Sequence, residues 1–141
     1  DRYVEVRSPK TQALIGFAGG RTIELPGVTV EMDTRFASLI FTPLDDRPLA
    51  ESEHILVTAM ARDKQSGSKF NEDWSELLQI GQPPLLMEPV QATIRLEGDV
   101  PGQVRPLDVY GVPRGLKVEL ADDGSFRIDG THRTYYYEIR R

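Results

Sequence analysis

Two apolar runs near the middle of the chain restrict the fold more than any other feature. Phe36–Pro43 (FASLIFTP) and His54–Ala61 (HILVTAMA) are each eight residues long and rich in β-branched and aromatic side chains. They are apolar on both faces, which suits strands in the middle of a sheet with a second layer packed on one side. The link between them, Leu44-Asp-Asp-Arg-Pro-Leu49, carries turn-forming aspartates and a φ-locked proline, and Ala50–Glu53 reads as one helical turn.

Strand patterns continue on either side of this pair. Tyr3–Arg7 alternates apolar and polar, Ala13–Phe17 is a short apolar strand, and Gly19-Gly20 reads as a hairpin turn. Arg21–Leu25 and Val28–Met32 alternate again around Pro26-Gly27. Beyond the central pair, Gln91–Leu96 follows an early proline that suggests an edge or a bulge. Val104–Tyr110 is a further strand, Leu116–Leu120 and Ser125–Asp129 read as a hairpin around Asp122-Asp-Gly124, and Thr134–Ile139 is the last strand. About ten strands and little helix predict an all-β fold, an antiparallel β-sandwich that is partly jelly-roll-like. At 141 residues the chain fits one domain, 1–141, with a single core. Its opening at Asp1, almost directly in a strand pattern, reads as a fragment of a longer protein.

Asp63–Pro84 interrupts the strand pattern. It is a long polar connection in which Glu72–Leu78 reads as a short helix, and it holds Phe70 and the only tryptophan, Trp74. Long connections in compact domains are uncommon and are usually functional, disordered or packed on something else.

Composition excludes several function classes. A net charge of −5 gives no basic face for a phosphate backbone, so no nucleic-acid partner is expected. No apolar stretch reaches the ~18 residues of a membrane span. The absence of cysteine excludes a disulfide framework, thiolate metal sites and a cysteine nucleophile. The two histidines, His54 and His132, lie far apart in sequence and read as structural or surface residues. Asp45-Asp46 and Asp122-Asp123 have the oxygen ligands of calcium loops, but both are ordinary turn sequences, so no metal or other cofactor is expected. No G-x-S-x-G elbow occurs, and GFAGG lacks the Lys-Ser/Thr and the helix of a phosphate loop. Glu88 lies among apolar residues and reads as a structural carboxylate needing a partner such as Arg62 or Lys69. Catalysis within this chain is therefore not expected.

Sugar binding requires aromatic faces for pyranose CH surfaces and polar side chains for hydroxyls. Phe70, Asn71 and Trp74 in the long connection supply that pattern. Tyr135 and Tyr137, which alternation places on one face, are the second set of candidates. The rival reading of Phe70 and Trp74 is that they anchor the loop, against this domain or a neighbouring one.

Several blocks together resemble a family. Leu44, Pro48, Leu49, Ala50, Glu51, Ser52, Ile55, Leu56, Thr58, Ala59 and Arg62 form the first block. Leu86, Glu88, Pro89 and Val90 form the second, and Tyr137, Glu138 and Ile139 the third. In this order they resemble the C-terminal β-sandwich accessory domain of large, mostly exported bacterial glycoside hydrolases. Ser66–Asn71 departs from the Thr-Gly-Met-like segment of that pattern. The resemblance implies a non-catalytic module that packs on a catalytic barrel domain, touches polysaccharide, and is extracellular or periplasmic. Two alternatives stay open: an autonomous carbohydrate-binding module and an immunoglobulin-like protein-interaction module.

Overall fold

A computed structural model describes residues 2–141. Fourteen strands form in chain order: β1 (Arg2–Arg7), β2 (Gln12–Phe17), β3 (Arg21–Leu25), β4 (Val28–Met32), β5 (Ala37–Pro43), β6 (His54–Met60) and β7 (Asp63–Ser66), followed by β8 (Lys69–Phe70), β9 (Leu77–Gln79), β10 (Gln82–Met87), β11 (Ala92–Leu96), β12 (Gln103–Pro106), β13 (Phe126–Ile128) and β14 (Tyr136–Arg140). The only helical element among the described residues is a single 3-10 turn, Leu49–Glu51. All strand pairs are antiparallel.

Two sheets make a β-sandwich. The larger runs β1-β2-β5-β6-β14-β12 and the smaller β13-β11-β4-β3. The two apolar runs of the sequence are β5 and β6, side by side at the centre of the larger sheet. Their inward residues Leu39, Phe41, Ile55 and Val57 are fully buried. Ile139 and Tyr137 of β14 continue this inner face, and the smaller sheet answers with Val28, Val30, Met32, Ala92, Ile94, Phe126 and Ile128. This interdigitated layer is the main source of stability, at roughly 25 cal/mol per Å² of apolar surface removed from water.

Four sequence expectations are corrected by the strand pairing. Gly19-Gly20 is not a hairpin turn: β2 pairs with β1 and β5, β3 pairs with β4, and the glycines carry the chain from one sheet to the other. Leu116–Leu120 does not form a strand. Val118 bridges to Val104 in the larger sheet and Leu120 to Phe126 in the smaller, so the segment spans two sheets and cannot build a ladder with either. The strand from Val104 stops at Pro106, because the Asp108 carboxylate accepts from Tyr110 N and Val112 N and turns the chain there. Finally, β11 is no edge strand. It lies between β13 and β4, and Pro89 precedes the ladder rather than entering it.

Glycine is required where backbones approach closely. A Cβ on Gly16 (φ 127°) would lie 2.4 Å from Arg2 O and 2.7 Å from Tyr3 Cα, so a side chain there would push β1 off β2.

Candidate functional site

The segment that reads as an irregular loop is a paired arm. β7 pairs with β10 and β8 with β9, each as a two-stranded ladder outside both sandwich sheets. The register slips between Gln82 and Leu85, where Pro83 and Pro84 have no N–H to give the ladder. Above the slip the Ser68 hydroxyl accepts from Gly81 N at 3.1 Å, pinning the two halves together. Gly81 is obligatory there, since a Cβ would meet Ser66 O at 2.4 Å.

The expected helix at Glu72–Leu78 is absent, and the side chains at the arm tip explain why. Asn71 Oδ1 accepts from Glu76 N at 3.1 Å, and Asn71 Nδ2 donates to Ser75 Oγ at 2.9 Å. Asp73 Oδ1 accepts from both Ser75 N and Ser75 Oγ. These hydroxyl and backbone bonds hold the Asp73 carboxyl below its ordinary value and close the segment as a tight turn. Short polar side chains compete with helix in this way, and seven residues are too few to nucleate one alone. Trp74 takes φ 62° at the apex, a left-handed conformation that a bulky residue adopts only under tertiary constraint.

The constraint on Trp74 is visible in its neighbours. Its ring stacks on Phe70 at 4.6 Å between centroids and 6° between planes. The Arg62 guanidinium lies 4.1 Å from the indole centroid and Lys64 Nζ 5.8 Å from it. Arg62 in turn grips Glu88 with Nε at 2.8 Å and Nη2 at 3.2 Å. Phe70, Trp74, Arg62 and Glu88 thus form a chain of contacts from the arm tip to its base. Ring surface that a pyranose would need is already taken by Phe70 and Arg62, and the Asn71 amide bonds to Ser75 and Glu76 in closing the turn. Removing the clamp should be measurable. Arg62→Ala is expected to cost about 1–2 kcal/mol, a cation–π contact plus a partly exposed ion pair. Trp74 emission should shift to the red, and amide exchange should quicken across β8 and β9. Unchanged emission would mean that Arg62 does not hold the indole.

The two tyrosine candidates line the same cleft but differ in exposure. Tyr137 is 2% exposed in the core, where burial, aided by Asp129, pushes its phenol up to about 12. Tyr137 meets His132 edge-on at 6.3 Å and cannot serve as an exposed stacking platform. Tyr135 is half-buried and packs edge-on against Tyr136. It lines a cleft of about 510 Å³ at the arm base with Leu85, Leu86, Met87, Glu88 and Arg133. Phe70 and Trp74 belong to the tip, so the structure does not assemble the aromatic candidates into one surface.

Leu77 reads from the sequence, with Phe70 and Trp74, as a patch for docking on another domain, but the other apolar side chains of the arm were missed. Leu77, Leu78, Ile80, Leu85 and Leu86 are between 44% and 74% exposed. Leu85 and Leu86 are consecutive in β10, in a two-stranded ribbon outside both sandwich sheets, and both line the cleft at the arm base. The signal was present as five large aliphatics in the ten residues from 77 to 86, a density unusual for a solvated loop.

The acidic turns are occupied by local bonds. Asp45 Oδ2 accepts from Glu53 N, Asp46 pairs with Lys10, and Asp123 Oδ1 accepts from Ser125 N and Oγ. Among the described residues no three His, Asp or Glu side chains converge as a metal site, and no helix is long and apolar enough to cross a membrane. Comparison with family models, curated proteins and solved structures gave no match.

Proposed function

We propose that this β-sandwich is a non-catalytic accessory module that docks, through the β7–β10 arm, on the catalytic domain of a carbohydrate-active protein. The observation that carries the docking reading is the exposure of five large aliphatic residues, Leu77, Leu78, Ile80, Leu85 and Leu86, within the arm. Large aliphatic side chains exposed together in one element of a soluble domain mark interaction sites, because water is a poor environment for apolar area. The clamp of Phe70, Trp74, Arg62 and Glu88 supports the same reading: it stiffens the arm, and a pre-organised element loses less entropy on binding. The nature of the partner, a catalytic barrel of an exported glycoside hydrolase, rests on the resemblance carried by Leu44–Arg62, Leu86–Val90 and Tyr137–Ile139.

Reconstitution tests it. The barrel of the same polypeptide, produced separately, should bind the sandwich domain. The double substitution Leu78→Glu and Ile80→Glu should weaken that binding at least a hundredfold, about 2.8 kcal/mol, while leaving the melting temperature nearly unchanged, because both residues are solvent-exposed in the isolated domain. Undiminished binding by the double variant would place the interface elsewhere on the module. No binding at all would overturn the docking reading.

A further inference from the structure

One end of the sandwich concentrates positive charge on a chain whose net charge is −5. The crossover after β2 and the segment before β5 meet there, with Gly19 N donating to Arg35 O at 3.4 Å. A Cβ on Gly19 would lie 2.7 Å from Arg35 Cα, so the two backbones are in direct contact and their side chains share one rim. A cavity of about 460 Å³ opens at this rim, lined by Arg2, Phe17, Gly19, Arg21, Arg35 and Asp73. That size is within the usual range of small-molecule sites.

The lining combines two kinds of surface. Phe17 is 38% exposed, held edge-on by Phe36 at 5.0 Å, with the Arg35 guanidinium 5.9 Å from its centroid. Arg21 lies 5.8 Å from the Tyr3 ring centroid. The ion pairs among the described residues do not include Arg2 or Arg35. Asp73, the one carboxylate of the lining, is held by Ser75. Guanidinium forks fit carboxylate and sulfate oxygens two at a time, and an aromatic face suits the CH surface of a sugar ring.

We propose that this cavity binds an acidic sugar, with Arg35 and Arg2 holding its carboxylate or sulfate group and Phe17 contacting its ring. A nucleic-acid ligand fits less well, because the rest of the surface repels a long phosphate backbone. The exposed aliphatic residues that carry the docking reading do not line the cavity, and Asp73 is the arm's one contribution to it.

Calorimetric titration of the 141-residue domain at low salt tests the proposal. The probes are an oligogalacturonate, its fully methyl-esterified counterpart, a sulfated oligosaccharide and a single-stranded oligonucleotide. An acidic oligosaccharide should bind, the neutral ester should bind at least about tenfold more weakly, and Arg35→Gln and Arg2→Gln should each weaken binding by about the same factor. Arg95→Gln, outside the cavity, should change nothing. Preference for the uronate or for the sulfated probe identifies the acid group. No binding, equal binding of the neutral ester, tightest binding to the oligonucleotide, or an equal loss in Arg95→Gln would each overturn the proposal.

Discussion

Phe41→Ala is expected to destabilise the domain by about 3–5 kcal/mol, the usual cost of emptying a fully buried aromatic site. Phe41 is 0% exposed, with Gln12 and Val57 as its cross-strand partners in the middle of the larger sheet. The loss comes from transfer of the ring to water in the unfolded state together with a cavity that neighbouring strands cannot close, since hydrogen-bonded ladders fix them on both sides. With total stabilities of about 5–15 kcal/mol, this is a large fraction of the whole. The melting temperature should fall by on the order of 10–20 °C. A drop of only a few degrees would mean that the sheets do not pack as described.

Glu138→Ala is the second large effect, and it depends on pH. Glu138 is a nearly buried carboxylate with two guanidiniums beside it, Arg105 Nη2 and Arg140 Nη2 at 3.0 Å, and the His54 imidazole Nε2 lies 2.8 Å away without the alignment of a hydrogen bond. Burial acts to raise its carboxyl, but hydrogen bonds and charge from Arg105 and Arg140 outweigh burial and leave it below its ordinary value of 4.5. A carboxyl lowered in the folded state stabilises fully above its unfolded value, and the contribution disappears as pH falls through the folded value. Loss of the carboxylate leaves two guanidiniums facing each other, partly relieved by solvent, at a cost of about 2 kcal/mol at neutral pH. Chemical denaturation of wild type and variant should show a gap that is constant above pH 4.5 and narrows below it. A gap independent of pH would show that Glu138 acts through packing alone.

The sandwich was legible in the sequence because its signal is local. Period-two alternation in Val28–Met32 and the apolar runs of β5 and β6 determine which side chains face inward, and hence the layers. Pairing was less legible where turn chemistry was ambiguous. Gly19-Gly20 satisfies a hairpin and a crossover equally, and only the competition of β5 for β2 decides between them. Leu116–Leu120 alternates well, yet its hydrogen-bonding partners stand in different sheets, a tertiary fact without local trace.

The candidate site was legible as a segment but not as a geometry. Length, polarity and the sole tryptophan identified 63–84 as unusual. The pairing of β7 with β10 depends on contacts between residues about twenty positions apart, and the stacking of Phe70, Trp74 and Arg62 depends on that pairing. Alternation rightly placed Tyr135 and Tyr137 beside one cleft, although Tyr135 precedes β14, which begins at Tyr136. It did not show that Tyr137 is almost completely sealed while Tyr135 is half-buried, though both line the cleft.

The measurement that bears most directly on the docking account is the fluorescence of Trp74, the only tryptophan of the isolated domain. With the proposed catalytic-domain partner prepared as a variant lacking tryptophan, the emission should change saturably on adding it, because docking covers the arm that holds the indole. Neutral polysaccharides should leave it unchanged, since Phe70 and Arg62 already occupy the ring. Saturable response to a neutral glycan, with none to the barrel, would contradict the account and make the arm a sugar-binding platform.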